Sequence, residues 1–236
     1  MRRSKRYNLL KEKVATNRLW SLPEAVRLVK ETATAKFPES VEIAVRLGID
    51  PKKQDQLVSG TVTLPHGSGK NVRVLAFAKG DKVNEAQAAG ADYVGLEDLI
   101  EKISTGWTDF DVAVATPDTM SLVGRLGKIL GPRGLMPSPK TQTVTFEIGA
   151  AIKALKGGRI NYRSDKTGNV HAIVGKVTFG EKELIENIRT FIGELARNKP
   201  ATAKGQFIRK VVISSTMGVG VRVDPKEFTE TRKQEG

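Results

Sequence analysis

Val74-Leu75-Ala76-Phe77-Ala78 is an unbroken run of apolar residues, and Val112-Ala113-Val114-Ala115 is a second one. Runs without polar alternation are typical of strands that other elements cover on both faces. Helix-like stretches alternate with these strands, at residues 82–89, 96–104, 118–130 and 147–156. This β-α-β-α order predicts a mostly parallel sheet in the middle of the chain.

Strands toward the two ends of the chain follow a different pattern. Apolar residues alternate with polar or small ones at Val41, Ile43, Val45 and Leu47, and again at Val219, Val221 and Val223. Alternation predicts a largely antiparallel sheet with one covered face and one face in water. Two amphipathic helices accompany these strands, and we interpret their apolar stripes as core: Leu22, Ala25, Val26 and Val29 after the capping box Ser21-Leu22-Pro23-Glu24, and Leu184, Ile188, Phe191, Ile192 and Leu195.

Glycine-rich junctions bracket the middle of the chain, at Gly67-Ser68-Gly69 and at Gly157-Gly158. Two pliable crossings predict that the βα module is inserted into a domain built from both termini, because domain termini lie at surfaces and often close together. The predicted boundaries are 1–67 plus 159–236 for the split α+β domain and 68–158 for the insertion.

Composition favours an anionic partner. The chain has 236 residues and a formal net charge of +13, and nucleic acid is the commonest partner of such a basic protein. The absence of cysteine excludes disulfides, thiol nucleophiles and cysteine metal sites. Lys11-Glu12-Lys13 interrupts the N-terminus before a signal-peptide apolar region can form, and no apolar run approaches the ~20 residues of a membrane span. We therefore expect a cytoplasmic protein without a membrane partner.

Charge is unevenly distributed. Residues 1–36 hold ten Lys or Arg against three Asp or Glu, and residues 197–210 hold five basic residues and no acidic one. Residues 81–111 are the reverse, with eight acidic and two basic residues. The split domain is therefore the predicted polyanion-binding part, and the first half of the insertion should face away from it.

Ten residues, Gly131-Pro132-Arg133-Gly134-Leu135-Met136-Pro137-Ser138-Pro139-Lys140, form a rigid cationic loop. Its three prolines exclude a helix interior or a central strand, and its glycines allow close approach of a partner. Such a loop suits a polyanion with exposed base faces, although composition alone equally allows a connecting loop with solvated charges.

The sequence offers no catalytic constellation. His66 and His171 each stand alone, without metal-ligand spacing. Gly67-Ser68-Gly69-Lys70 imitates part of a phosphate loop, but Leu64 stands where the first glycine is needed. We therefore predict that the protein is not an enzyme and has no cofactor or metal site.

Recognition has better candidates. Lys36 and Phe37 place a cation beside an aromatic ring, a pair that meets phosphates and stacks on bases in RNA complexes, although Phe37 alone is more typical of a core residue. Thr216-Met217-Gly218 follows a strand at 211–215. Either it is a site where Gly218 lets the backbone come close to RNA, or it is a plain hairpin turn. Asp165-Lys166-Thr167-Gly168 is typical of a turn between strands, and its polar groups could also read sugar edges.

These motifs resemble, in order along nearly the whole chain, those of the L-one family of ribosomal proteins, which form the mobile stalk of the large subunit. The resemblance is carried by the 131–140 loop, in which Ser138 replaces the usual Asn, and by Thr34-Ala35-Lys36-Phe37, Leu47-Gly48-Ile49-Asp50-Pro51, Pro65-His66-Gly67, Gly90-Ala91-Asp92-Tyr93-Val94, Asp165-Lys166-Thr167-Gly168 and Thr216-Met217-Gly218.

The resemblance implies a split rRNA-binding domain with an inserted Rossmann-like three-layer α/β domain. It implies rRNA contacts at Lys36, Phe37, Ser40, Asp165, Lys166, Thr167, Gly168, His171, Ser214, Thr216, Met217 and Gly218. It also implies an RNA- or tRNA-facing loop on the inserted domain with Arg125, Lys128, Arg133, Met136 and Lys140. The implied partners are large-subunit (23S) rRNA at the stalk, exit-site tRNA and the mRNA of the protein's own operon, which it would repress; the protein would be a monomer within the ribosome.

Two other classes of function remain open from the residues alone. One is a nucleotide-using enzyme built on the βα module, and its missing phosphate loop argues against it. The other is a regulator outside the ribosome that binds only mRNA or DNA.

Overall fold

The computed structural model describes residues 4–15 and 18–230, except for the side chains of Gln54, Lys140, Thr229 and Glu230. Its α-helices are α1 Lys5–Val14, α2 Leu22–Thr32, α3 Asp81–Ala88, α4 Glu97–Ser104, α5 Met120–Val123, α6 Gly127–Leu130, α7 Ile148–Lys156, α8 Glu181–Arg197 and α9 Glu227–Glu230. Its strands are β1 Ser40–Leu47, β2 Ser59–Thr63, β3 Val74–Phe77, β4 Tyr93–Gly95, β5 Val112–Ala115, β6 Arg159–Arg163, β7 Asn169–Lys176, β8 Ile208–Ser215 and β9 Val221–Val223.

The chain forms two compact units, one of which contains segments from both ends. Unit 1 joins the N-terminal segment up to Gly69 to the C-terminal segment from Ile160, and unit 2 is Lys70–Arg159. The unit boundaries fall beside the glycine-rich junctions, and Gly69 has a φ of 67°, which favours glycine.

Unit 1 contains an antiparallel sheet in the order β7-β1-β8-β9, so the N-terminal strand β1 lies between two C-terminal strands. The alternation in β1 is confirmed, because Val41, Ile43, Val45 and Leu47 are buried while Glu42 and Arg46 are exposed. Helices α2 and α8 pack against the sheet, and both predicted apolar stripes are buried in one core. A separate two-stranded sheet pairs β2 with β6.

The sheet of unit 2 is parallel, with the order β4-β3-β5, as the apolar runs predict. All four residues of β3 are buried. Leu75 and Phe77 belong to one core with residues of α4, α5 and α6, while Val74 and Ala76 belong to another with residues of α3 and α7. Strand β3 is therefore covered on both faces.

One predicted helix is wrong in its continuity. Residues 118–130 form two single-turn α-helices, α5 and α6. A 3-10 turn at Pro117–Thr119 precedes α5, and a second one at Gly124–Leu126 separates α5 from α6. Gly124 and Gly127 account for the break, since a glycine inside a helix costs about 1 kcal/mol relative to alanine. The resulting bends let Val123, Leu126 and Leu130 all reach the same core.

Candidate nucleic-acid interface

The side of the four-stranded sheet opposite α2 and α8 carries the candidate interface. We call it the open face and define it by three residues of β1 with their cross-strand partners: Glu42 with Ile173 and Ser214, Ala44 with His171 and Val212, and Arg46 with Asn169 and Lys210. His171 and Ser214, two of the predicted RNA contacts, therefore lie in neighbouring rows of one surface.

At the Ser40 end of β1, two segments of the chain meet. The N–H of Ser40 donates to Thr216 Oγ1 at 3.0 Å, and the N–H of Thr216 donates to the Ser40 carbonyl at 3.1 Å. Lys176 Nζ donates to Ser40 Oγ at 2.9 Å. The Thr216 hydroxyl is thus partly used within the protein, and one Oγ1 lone pair is left over for a partner such as RNA.

Two apolar side chains stand out into solvent at the same end. Phe37 is 51% exposed and Met217 is 50% exposed, and Lys36 beside them is exposed as well. The interpretation of Phe37 as a core residue is therefore wrong: half of its side chain is exposed to solvent, in the 34–38 segment that follows α2. The 216–218 loop connects β8 to β9, as its turn alternative predicts.

A buried carboxylate that the sequence reasoning missed lies beneath these two segments. Glu39 is only 2% exposed; its Oε1 accepts the N–H of Ala35 at 2.9 Å and its Oε2 accepts the N–H of Met217 at 2.8 Å. Burial by itself raises the pKa of Glu39, but these hydrogen bonds outweigh it and the pKa is lowered. The sequence did contain a signal for the role of Glu39: position 39 is in phase with the buried residues of β1, where a carboxylate is unusual.

The Asp165–Gly168 turn lies at the opposite end of the sheet. Asp165 Oδ1 accepts the N–H groups of Thr167 and Asn169, each at 2.8 Å, and Gly168 has a φ of 80°. The hydrogen bond from Asn169 is the main reason that the pKa of Asp165 lies far below its ordinary value, and contacts with Thr167 add to it. The Asp165 carboxylate therefore serves the turn, while Lys166 and Thr167 are exposed.

The predicted contacts are thus divided along the open face. The 34–38 segment and the 216–218 loop lie near Ser40. The Asp165–Gly168 turn lies at the other end of β1, next to Arg46, because the N–H of Leu47 donates to the Gly168 carbonyl. Arg46 is six residues further along the extended strand than Ser40, a span of about 20 Å. His171 and Ser214 lie between, so the set covers one elongated surface and not a single pocket.

Two exposed cations on the open face were also missed. Arg46 and Lys210 are cross-strand partners, and neither forms an ion pair with a side chain that the structure describes. Like charges directly opposite each other destabilise a sheet. Such an arrangement favours an anion on this surface. The outward phase of Arg46 in β1 was readable from the sequence, but its pairing with a residue of β8 was not.

The residues predicted on unit 2 are more dispersed. Arg125 and Lys128 are exposed, and Arg125 lines a shallow hollow of about 310 Å³ with Glu97, Ile100, Glu101 and Leu122. Arg133 donates to Thr108 Oγ1, which attaches the 131–140 loop to the segment before β5. Met136 is half-buried against the core, and the side chain of Lys140 lies outside the described part of the structure.

Other kinds of site find no support in the described residues. Within 4–15 and 18–230, no three His, Asp or Glu side chains come together in a way that could hold a metal ion. None of the helices in these two ranges is both long and apolar enough to cross a membrane.

Comparison with known proteins gives consistent results. Residues 29–219 match the Ribosomal protein L1p/L10e family. The chain is similar to the large ribosomal subunit protein uL1 of Thermobifida fusca, with 54% identity over 99% of both chains. It is 58% identical to the uL1 protein of Thermus thermophilus over 94% of this chain and 97% of the relative, and 55% identical to that of Nocardia farcinica over 95% and 94%.

These matches confirm the resemblance found in the sequence, and with it the prediction that the protein is not an enzyme, since the family and these relatives are ribosomal proteins. The mixed α/β architecture, with a four-stranded antiparallel sheet and a three-stranded parallel sheet, is consistent with that assignment. The chain therefore belongs to the Ribosomal protein L1p/L10e family.

Proposed function

We propose that the protein is a structural component of the large subunit of the cytoplasmic ribosome, where unit 1 binds large-subunit rRNA at the stalk. The names of its relatives support membership of the large subunit. One observation carries the RNA contact: Lys36, Phe37 and Met217 are all exposed, and the two segments that carry them are held together by hydrogen bonds to one carboxylate, that of Glu39. An aromatic ring, a flexible apolar side chain and a cation together suit a folded RNA that offers unstacked bases and phosphates.

The proposal has two further parts, which rest on the family resemblance. Unit 2, as an inserted Rossmann-like domain, would contact exit-site tRNA through exposed Arg125 and Lys128 and assist its release. The same rRNA-binding surface would bind the mRNA of the protein's own operon and repress its translation. Arg125 is the weaker of the two cations for an RNA contact, because Glu97 and Glu101 line the same hollow.

Replacing Phe37 with alanine should weaken binding to stalk RNA by about 1–3 kcal/mol, the usual value of a base stacked on an aromatic ring. Thr216→Ala should weaken binding to stalk RNA by about 1–3 kcal/mol, because the hydroxyl is lost that bonds Ser40 and is proposed to bond the RNA. The measurement is filter binding with matched and scrambled stalk RNA, and binding to scrambled RNA should change little. Phe146→Ala is the control, because Phe146 is 58% exposed but lies in unit 2.

An equal loss on both RNAs for Thr216→Ala would remove its specific role, and an equal loss for Phe37→Ala and Phe146→Ala would remove the stacking role of Phe37. Co-sedimentation with large subunits separates the proposed function from that of a regulator outside the ribosome. A protein that binds operon mRNA but never sediments with large subunits would refute it.

The double variant Arg46→Gln with Lys210→Gln should weaken binding to every RNA, unlike Phe37→Ala and Thr216→Ala, which should affect stalk RNA. Each lost phosphate contact lowers the salt dependence of the binding constant by about one unit of slope, for all RNAs alike. Stability should stay the same or rise slightly, because two like charges in register are removed. Lys102→Gln, in the acidic part of unit 2, is the control and should leave the slope unchanged. A lower melting temperature with an unchanged slope would contradict this assignment.

A further inference from the structure

Buried Glu39 connects the two segments that carry the exposed recognition side chains. One carboxylate oxygen holds the backbone of the 34–38 segment at Ala35, and the other holds the 216–218 loop at Met217. The carbonyl of Glu39 also accepts the N–H of Val177, at the end of β7. Three parts of the chain that are distant in sequence therefore meet at one residue.

A second bridge joins the same two segments through α1. The guanidinium of Arg6 donates to Thr34 Oγ1 at 2.8 Å and to the carbonyl of Met217 at 2.9 Å. Glu39 thus accepts from N–H groups of both segments, while Arg6 donates to oxygen atoms of both. By charge alone Arg6 would be counted as a phosphate contact, but its hydrogen bonds are used to hold the protein together.

A buried carboxylate couples the segments that it bonds. Burying a charge is costly unless it is hydrogen-bonded, and charge-assisted bonds are stronger than neutral ones. If one segment moved away, the carboxylate would lose an N–H donor that it needs in order to remain ionised inside the protein. The position of Phe37 is therefore tied to that of Met217, although neither side chain bonds Glu39 directly.

We propose that Glu39 is a positioning residue for RNA recognition, which sets the spacing between the 34–38 segment and the 216–218 loop. This inference rests on the proposed function, since it concerns the same RNA. A pre-formed spacing lowers the ordering cost of binding, and it benefits only an RNA whose groups match that spacing. Glu39 accordingly affects specific binding and not the general attraction to phosphates.

The test is Glu39→Gln compared with Glu31→Gln, an exposed carboxylate in α2 that gives the same change of charge. An amide has a single acceptor oxygen, so one of the two N–H groups faces an NH₂ group and one anchor is lost. The expected result is about tenfold weaker binding to stalk RNA than for Glu31→Gln, the equivalent of one lost hydrogen bond. Binding to scrambled RNA and the salt slope should match those of Glu31→Gln.

The outcomes are distinct. A folded Glu39→Gln variant that binds stalk RNA as tightly as the Glu31→Gln variant overturns the inference. A lower melting temperature with unchanged discrimination between the two RNAs makes Glu39 merely structural and also overturns it. If the unaltered protein does not prefer stalk RNA, the proposed function itself fails, whatever Glu39 does.

A second pair of variants keeps the test decisive if Glu39→Gln does not fold. Arg6→Gln removes the outer bridge, and Lys5→Gln removes an exposed charge from the same helix. Arg6→Gln should lower the preference for stalk over scrambled RNA, whereas Lys5→Gln should weaken both alike. Equal effects of the two variants would show that the spacing of the segments does not matter.

Discussion

Asn187→Ala should lower the free energy of unfolding of unit 1 by about 2–3 kcal/mol, because it leaves the buried carbonyl of Val174 and two part-buried backbone groups without their partner. Asn187, in α8, is fully buried. Its Oδ1 accepts the N–H of His66 at 3.1 Å, and its Nδ2 donates to the carbonyls of Gly67 at 2.9 Å and Val174 at 2.8 Å. One side chain therefore fixes both β7 and the segment that leads out of unit 1.

Urea unfolding followed by tryptophan fluorescence would measure this loss. The chain has two tryptophans, so a Trp107→Phe background leaves Trp20 as the reporter of unit 1. Thr190→Ala, on the exposed side of the same helix, is the control and should cost less than about 1 kcal/mol. If Asn187→Ala were no more destabilising than the control, water would be satisfying the three backbone groups.

Gly218→Ala should weaken specific binding of stalk RNA at least about tenfold, since the 216–218 loop has no room for a methyl group. A Cβ at this position would lie 2.4 Å from Ser215 Oγ. Ser215 is buried in β8, where the surrounding atoms restrict rotation of its hydroxyl, so we expect the loop to shift and Thr216 and Met217 to move with it. A displacement of this kind misplaces several contacts together, while the basic surface is unchanged.

Filter binding with matched and scrambled RNA is again the measurement. The double variant Ser215→Ala with Gly218→Ala should recover the affinity of Ser215→Ala alone, because the nearest side-chain atom is then the Cβ of residue 215, at an acceptable 3.4 Å. Gly193→Ala, in α8 with no atom near its added Cβ, should not affect binding. A failure of the double variant to recover would mean that Gly218 serves by its backbone and not by its lack of a side chain.

Local patterns in the sequence predicted much of the fold. The apolar run of β3 specified a strand covered on both faces, and the alternation in β1 specified one that is covered on a single face. Helix α1 was missed because it buries little more than Leu10 and Val14, so it shows no apolar stripe. The insertion of β1 between β7 and β8 depends on long-range pairing, which no local pattern encodes.

The candidate site was less predictable because it depends on which groups are already bonded. Phe37 is exposed although its residue type is typical of a core. Asp165 is polar and lies in a turn, yet its carboxylate is occupied by the backbone of that turn. The pairing of Arg46 with Lys210 and the contacts of Glu39 with Ala35 and Met217 arise only when distant segments meet.

The position of β1 in its sheet has a consequence during synthesis of the protein. Its neighbours β7 and β8 begin at Asn169 and Ile208, so β1 leaves the ribosome long before either of them exists. At about 5–20 residues per second, the nascent chain carries this unpaired strand for roughly six to twenty-six seconds before β7 emerges. Unit 2 has all its strands between Val74 and Ala115, so it can complete its sheet in that interval while the older N-terminal segment waits for its partners.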